Sequence, residues 1–273
     1  MAERSIIPVS LALDAVGGGD ARAGFDIAAS AGYRGIAFAT NHAQLNPDNL
    51  GDTARRHIKS ILAGKRLGID VVRAAVPRGG LADAATIDRT LENTRRAMLL
   101  ARELGVPTVS VNIGLLGASG GAEGRGGGER IAEESVASAL RELAQQADAA
   151  GVALTVGGEG IDRLGMLLKR VDYDRARINL DGARIIGSAE DPLKIAEDFA
   201  GRIGQLTAAD AVRSGRSLRA TMLGEGQLPL NELLALLREQ GFSGPMVVDV
   251  RDLPDGAAGA VHAAEVLRRA LRR

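Results

Sequence analysis

The chain has 273 residues, of which 45% are hydrophobic and 25% charged, a length and balance that suit one α/β domain spanning residues 1–273. Its 34 basic and 34 acidic residues cancel, so no overall positive field would hold nucleic acid or a membrane surface, and two Tyr, four Phe and no Trp make base-stacking platforms scarce. The absence of cysteine excludes disulfides, thiolate zinc sites and thiol nucleophiles.

Asp14 and Asp20 interrupt the first apolar segment, so no secretory leader is expected, and no apolar run approaches the length of a membrane span. A cytoplasmic protein is expected. Short β-rich runs at 7–13, 35–39, 70–76, 108–113, 153–156, 178–180, 203–208 and 245–250 alternate with longer helical patterns, the signature of βα units around a parallel sheet. Eight such runs suit a closed (β/α)8 TIM barrel better than an open doubly wound sheet, which would show fewer strands and a glycine-rich first turn.

Apolar spacing near 3.6 residues predicts a helix over 87–104, with Leu91, Met98, Leu99 and residues 101–104 supplying its buried stripe. Gly105 stands where that helix should end, as Gly151 and Gly241 do for two later ones, because glycine takes the left-handed C-terminal conformation without strain. The glycine-rich stretch 115–128 has neither periodicity nor a buried face, and two readings stay open: a lid over the site, or a flexible insertion. It fails as a phosphate loop, since no Gly-Lys-Ser/Thr follows. Asp191 before Pro192, and Asn231 before Glu232, read as helix N-caps.

The segments Ala31-Gly32-Tyr33-Arg34-Gly35-Ile36, Leu45-Asn46-Pro47-Asp48, Leu180-Asp181, Asp191-Pro192, Leu223-Gly224-Glu225-Gly226 and Gln240-Gly241-Phe242-Ser243-Gly244 follow one another in a telling order. With Leu104-Gly105-Val106 and Ala150-Gly151-Val152 between them, the ordered set resembles the xylose-isomerase-like TIM-barrel superfamily of sugar-phosphate isomerases and epimerases over roughly the whole chain.

The resemblance implies a divalent ion held by a Glu ending strand five, an Asp ending strand six, a His on strand seven and a Glu ending strand eight, where it would polarise a sugar carbonyl. Carried over by position, those roles fall on Gly157, Asp181, Thr207 and Asp249, so the Glu and the imidazole are missing. Ala37 stands where an acid is common on strand two, and the strand-four histidine position falls on Asn112. No metal and no cofactor is therefore expected, although Glu159, two residues beyond Gly157, would restore one ligand if the alignment slips.

What remains could act without metal: Asp181 or Asp249 as the base of an enediol proton shift, with Arg184 steadying the developing oxyanion. The alternative for each strand-end Asp is a cap for the following helix, and for Arg184 a structural pair with Asp181. His42, in the loop after strand two, is a candidate substrate contact or a solvated loop residue; Asn112, Thr207 and Asp210 are further candidates for ligand binding. Glu225 between glycines either bonds a sugar hydroxyl or marks a turn. His57 and His262 read as surface or packing residues on helices, and Arg213, Arg216 and Arg219 as either an anionic-substrate patch near strand seven or a solvated charge run.

Two functions survive: an isomerase or epimerase acting on a small sugar or polyhydroxy acid, or a barrel that has lost catalysis and serves as a small-molecule binder or partner-stabilising subunit. A sugar-like ligand is the expected partner, with homo-oligomerisation open. Convergence of Asp181, Asp249, Asp210 and Arg184 on one cavity would favour the enzyme.

Overall fold

The computed structural model describes residues 7–115, 128–171 and 174–272. Eight parallel strands close a barrel: β1 Val9–Ala12, β2 Gly35–Ala39, β3 Gly68–Arg73, β4 Thr108–Leu115, β5 Ala153–Glu159, β6 Ala176–Asp181, β7 Ile203–Ala208 and, as the eighth, β10 Met246–Val248. Each barrel strand pairs with its sequence neighbour, and β10 closes the ring between β7 and β1. The eight runs read from the sequence are these eight strands. The runs of Val, Ile, Leu and Ala are buried on both faces, as parallel strands between a packed lumen and a helical shell require.

The helices are α1 Ala21–Ala31, α2 Asp52–Gly64, α3 Ile87–Leu104, α4 Gly128–Ala150, α5 Ile161–Val171, α6 Gly182–Ser188, α7 Pro192–Asp198, α8 Leu230–Glu239 and α9 Gly256–Arg272. Gly105, Gly151 and Gly241 have φ of 72°, 72° and 75°, the left-handed turn expected of them. Asp191 caps α7, its Oδ1 accepting from the backbone N–H of Leu193 at 2.9 Å and of Lys194 at 3.3 Å. Among the described residues no helix is long and apolar enough to cross a membrane.

Four expectations need correction or placement. Leu99 is 55% exposed, and Arg102 and Glu103 are exposed too: the buried face of α3 runs through Thr90, Thr94, Ala97, Met98, Ala101 and Leu104, two threonines having been passed over as polar. Their hydroxyls donate to the carbonyls four residues back, Thr90 to Thr86 and Thr94 to Thr90, which is why they can be buried. Asn231 lies inside α8, whose N-cap position is Pro229 without a side-chain cap. An antiparallel hairpin, β8 Asp210–Ser214 and β9 Ser217–Thr221, follows β7 and was not foreseen; it carries Arg213, Arg216 and Arg219 outward. The lid or insertion expected over 115–128 falls, between the end of β4 and the start of α4, outside the described residues.

The lumen is divided chemically. Ala12, Ala37, Val71 and Val247, one each from β1, β2, β3 and β10, form a small apolar cluster apart from the main core. On the other side the filling is polar: Thr155 Oγ1 donates to Gln205 Oε1 at 2.8 Å, Gln205 Nε2 to Thr207 Oγ1 at 3.2 Å, and Thr207 Oγ1 to Asn179 Oδ1 at 2.9 Å. Side chains of β5 and β7, with β6 between them, can meet in this way only inside the barrel.

Candidate active site at the barrel mouth

A cavity of about 540 Å³ opens at the carboxyl ends of the strands, lined by Arg73 from β3, Asn112 from β4, Glu159 from β5, Asp181 from β6, Thr207 from β7 and Asp249 just beyond β10. A second space of about 420 Å³ shares Glu159, Asp181, Arg184, Asp249 and Arg251 with it. Of the residues singled out by sequence, Asp181, Asp249, Arg184, Asn112 and Thr207 thus face one cavity; His42, Asp210 and Glu225 do not line it.

Asp249 is held by two guanidinium groups. Arg73 Nη1 donates to its Oδ2 at 2.7 Å, and Arg251 closes on the same carboxylate through Nε at 2.9 and 3.0 Å and through Nη2. Burial opposes ionisation here, but the two guanidinium groups outweigh it and hold the Asp249 carboxyl well below the usual carboxylate range. An anion so stabilised is a poor proton acceptor, which disfavours Asp249 as the catalytic base. Arg73 is also bonded through Nη2 to Asp14, whose Oδ1 accepts from the N–H of Ala39 at 3.1 Å. Burial lowers the Arg73 pKa while Asp249 supports the charge; a guanidinium stays protonated in any case.

Asp181 behaves oppositely. Its burial raises the carboxyl pKa against the attraction of Arg184, and the nearby Asp249 anion adds to the rise. Asp181 Oδ1 accepts from the Arg184 N–H at 3.3 Å, capping α6, so the structural alternative weighed for this residue is present alongside its position in the cavity. The Arg184 side chain, 40% exposed, spans two carboxylates at longer range: Nε lies 3.4 Å from Asp181 Oδ2 and Nη1 3.9 Å from Glu159 Oε1.

Thr207 has given its hydroxyl proton to Asn179, so it can only accept from a ligand. Asn112 Oδ1 accepts from the Gly114 N–H at 2.9 Å, which fixes the side chain at the end of β4. A side chain at Gly157 would begin 3.3 Å from Asn179 Nδ2; the absent Cβ is what lets that amide reach the lumen.

The other three candidates are placed elsewhere. The two oxygens of Asp210 accept from the backbone N–H groups of Ala211, Gly224, Gly226 and Leu228 at 2.8–3.0 Å, so this carboxylate ties the segment after the hairpin to the end of the barrel. His42 is buried, its Nδ1 accepts from the Gln44 N–H at 3.2 Å, and burial lowers its pKa, so it organises the loop after β2 as a neutral ring. Glu225 is an exposed turn residue whose Oε1 lies 4.0 Å from His262 Nε2. His57 and His262 lie on α2 and α9, bonded to Arg22 and to the Leu223 carbonyl, as helix-surface residues should be.

Sequence reasoning missed Arg73, Arg251 and Asn179. Each was partly readable as a polar residue at or just past the carboxyl end of a barrel strand, the place where this fold presents side chains to its cavity. What could not be read is that Arg73 turns inward, since that depends on Asp14 and Asp249 reaching it from other strands.

A closed parallel barrel with its polar cavity at the strands' carboxyl ends is a (β/α)8 TIM barrel, with its candidate site where enzymes of that fold carry theirs. The chain belongs to the xylose isomerase-like TIM barrel family, whose model matches residues 25–270. Among solved structures it is similar to a D-tagatose 3-epimerase-like protein, with TM-score 0.79 and 18% identity over 97% of each chain. An L-ribulose 3-epimerase gives TM-score 0.75 and 19% identity over 97% of this chain and 94% of that one. A xylose isomerase-like TIM barrel protein from Mycobacterium smegmatis in complex with magnesium gives 0.73 and 16% over 99% and 100%. At these identities the likeness is one of fold. No curated protein matches the chain.

Proposed function

We propose that the protein is an isomerase or epimerase of a small sugar or polyhydroxy acid, working by proton transfer without a divalent metal. Family membership and the likeness of fold to proteins named as 3-epimerases support the reaction class. The donor set argues against a dication. Asp249 is engaged by Arg73 and Arg251, Thr207 is a neutral hydroxyl already bonded to Gln205 and Asn179, and the remaining position is Gly157. Among the described residues no three His, Cys, Asp or Glu side chains gather as a metal site.

The observation that carries the proposal is the Asp181–Arg184 pair facing the cavity. In this reading the Asp181 carboxylate takes the proton from the carbon beside a carbonyl, and the electron pair moves through the new C=C bond onto the carbonyl oxygen. Arg184 donates to that oxyanion, and the proton returns to the neighbouring carbon as the hydroxyl proton moves across to the former carbonyl oxygen. A base made stronger by burial suits the first step. One base on one face of an enediol suffices for aldose–ketose interconversion, whereas inverting a centre directly calls for an acid on the other face, a place that Glu159 at the rim could fill.

The test is solvent-exchange NMR: a panel of aldoses, ketoses and sugar acids in D2O, with the protein treated with chelator. Deuterium entering at the carbon next to a carbonyl, and abolished in Asp181→Asn, is the expected result; no exchange with any compound that binds would defeat the catalytic reading. A non-catalytic binding or partner-stabilising barrel is then the reading favoured by Asp249, locked as an anion.

A further inference from the structure

We infer that Arg73 is the resident cation of this cavity, a built-in guanidinium that takes the charge role of a divalent ion. The inference rests on the cavity being the site proposed above but not on any turnover there.

Three carboxylates, Asp14, Asp181 and Asp249, stand around the barrel mouth, Asp181 and Asp249 facing one cavity and Asp14 and Asp249 joined through Arg73, and the Asp249 charge is felt at Asp181. Such a cluster, largely withdrawn from water, needs a positive charge among its members. Arg73 supplies it. Its side chain leaves the end of β3, is 14% exposed, and sends one terminal nitrogen to Asp249 and the other to Asp14, with Asp181 adding to the attraction. The Nε of Arg73 is buried with no hydrogen-bond partner among the described residues, an arrangement with a desolvation cost that the two charged contacts offset. The guanidinium therefore sits in the place set by the acids, not by ordinary side-chain packing.

The chemistry of the lining agrees. Asp249, the acid at the end of the last strand, is engaged by Arg73 and Arg251, so a dication would have to displace two guanidinium groups to reach it. Arg184 and Arg78 bring further positive charge to the same wall. A cavity arranged in this way repels free dications while still presenting a cation beside the reacting atoms. Unlike a bound ion, this one is covalently held and does not depend on metal supply.

The test reads metal response, not activity. Wild-type protein, purified without chelator, should contain no stoichiometric metal by elemental analysis, and Mn²⁺ up to about 5 mM should leave its melting temperature unchanged. In Arg73→Ala the three carboxylates lose their internal counter-ion. That variant should melt below wild type and gain about 3 °C from the same Mn²⁺, a gain removed by adding Asp249→Asn. A purely structural arginine would leave the variant indifferent to Mn²⁺, and that result overturns the inference, as does a wild type stabilised by Mn²⁺. Should Arg73→Ala not fold alone, refolding it with Mn²⁺ decides: recovery of folded protein that the added Asp249→Asn prevents upholds the assignment, and no recovery overturns it. Absence of isotope exchange would defeat the proposed reaction and leave this result untouched.

Discussion

Arg73 and Asp249 stand 176 positions apart in the chain and meet at 2.7 Å across the barrel mouth, with β2 and β1 between their strands. The contact locks the third strand to the last. It also sets Asp249 and Asp181, two of the cavity's carboxyls, in unlike roles, Asp249 fixed as an anion and Asp181 left able to carry a proton.

Asp249→Asn should therefore destabilise the fold. Removing one partner of a buried ion pair costs about 3–5 kcal/mol, and the surviving Asp14 contact places this variant toward the lower end. Because the folded-state pKa of Asp249 is depressed, its contribution is complete above the unfolded carboxylate value of about 3.9 and fades as pH falls below it. Urea unfolding of both proteins should show a constant gap from neutral pH down to about pH 5 and a shrinking one at more acid pH. A gap independent of pH would mean that the carboxylate charge is not what Asp249 contributes.

Asp181→Asn should act in the opposite direction on stability. The folded state holds the Asp181 proton more tightly than the unfolded chain, so wild-type stability from this group is greatest in acid and is lost as pH rises through the raised folded-state value. Asparagine caps a helix as well as aspartate does, so the bond to the Arg184 N–H survives. The variant should melt above wild type at neutral pH and converge with it in acid, while isotope exchange falls by about 10²–10⁴-fold, the usual contribution of a general base. Melting curves across pH check the stability effect; a variant less stable at neutral pH would make Asp181 a structural residue.

The barrel itself was legible because its signals are local: eight short apolar runs, a glycine after each of three helices, and a capping Asp191 before Pro192. Asp181, Asp249, Asn112 and Thr207 were legible as cavity residues because position near a strand's carboxyl end directs a side chain to the mouth, and Arg184 because it lies in the first turn of the helix that follows β6. Asp210 satisfies the same rule and escapes it, since the chain turns there into a hairpin whose glycine-rich exit offers three backbone donors to one carboxylate, beside the N–H of Ala211. The hairpin went unread because its strands are short and charged, with Leu218 exposed and Arg213, Arg216 and Arg219 giving no apolar face. Which acid would be the base was likewise beyond the sequence, because it is decided by guanidinium groups arriving from β3 and from the segment after β10.

Asp210→Ala should cost about 3 kcal/mol in urea unfolding, since it strands several buried backbone donors at once and the segment after the hairpin can recover only some of them with water. Asp210→Asn, with one accepting oxygen and an amide facing other donors, should lie between. The clearest readout is limited proteolysis, with new cleavage in the 222–228 segment of Asp210→Ala. Unchanged resistance there would show that the three contacts from Gly224, Gly226 and Leu228 do not hold this segment.

Gly114 offers a test of how rigid the cavity wall is. Its φ is +84°, and an added Cβ would lie 2.3 Å from the Gly79 carbonyl oxygen, backbone against backbone where the loop after β3 crosses the end of β4. Gly105 makes the control, with φ +72° and nothing within 4 Å of its missing Cβ. Gly105→Ala should cost about 1–2 kcal/mol, the strain of left-handed backbone alone. Gly114→Ala carries that strain and must also push the loop away from the strand end, for about 1–3 kcal/mol more by the usual cost of overpacking. Because the Gly114 N–H holds Asn112 at 2.9 Å, the same substitution should weaken binding of any ligand that occupies the cavity, whereas Gly105→Ala should not. Equal unfolding costs for the two variants would show that the loop yields, and that the wall seen here is set by something other than this contact.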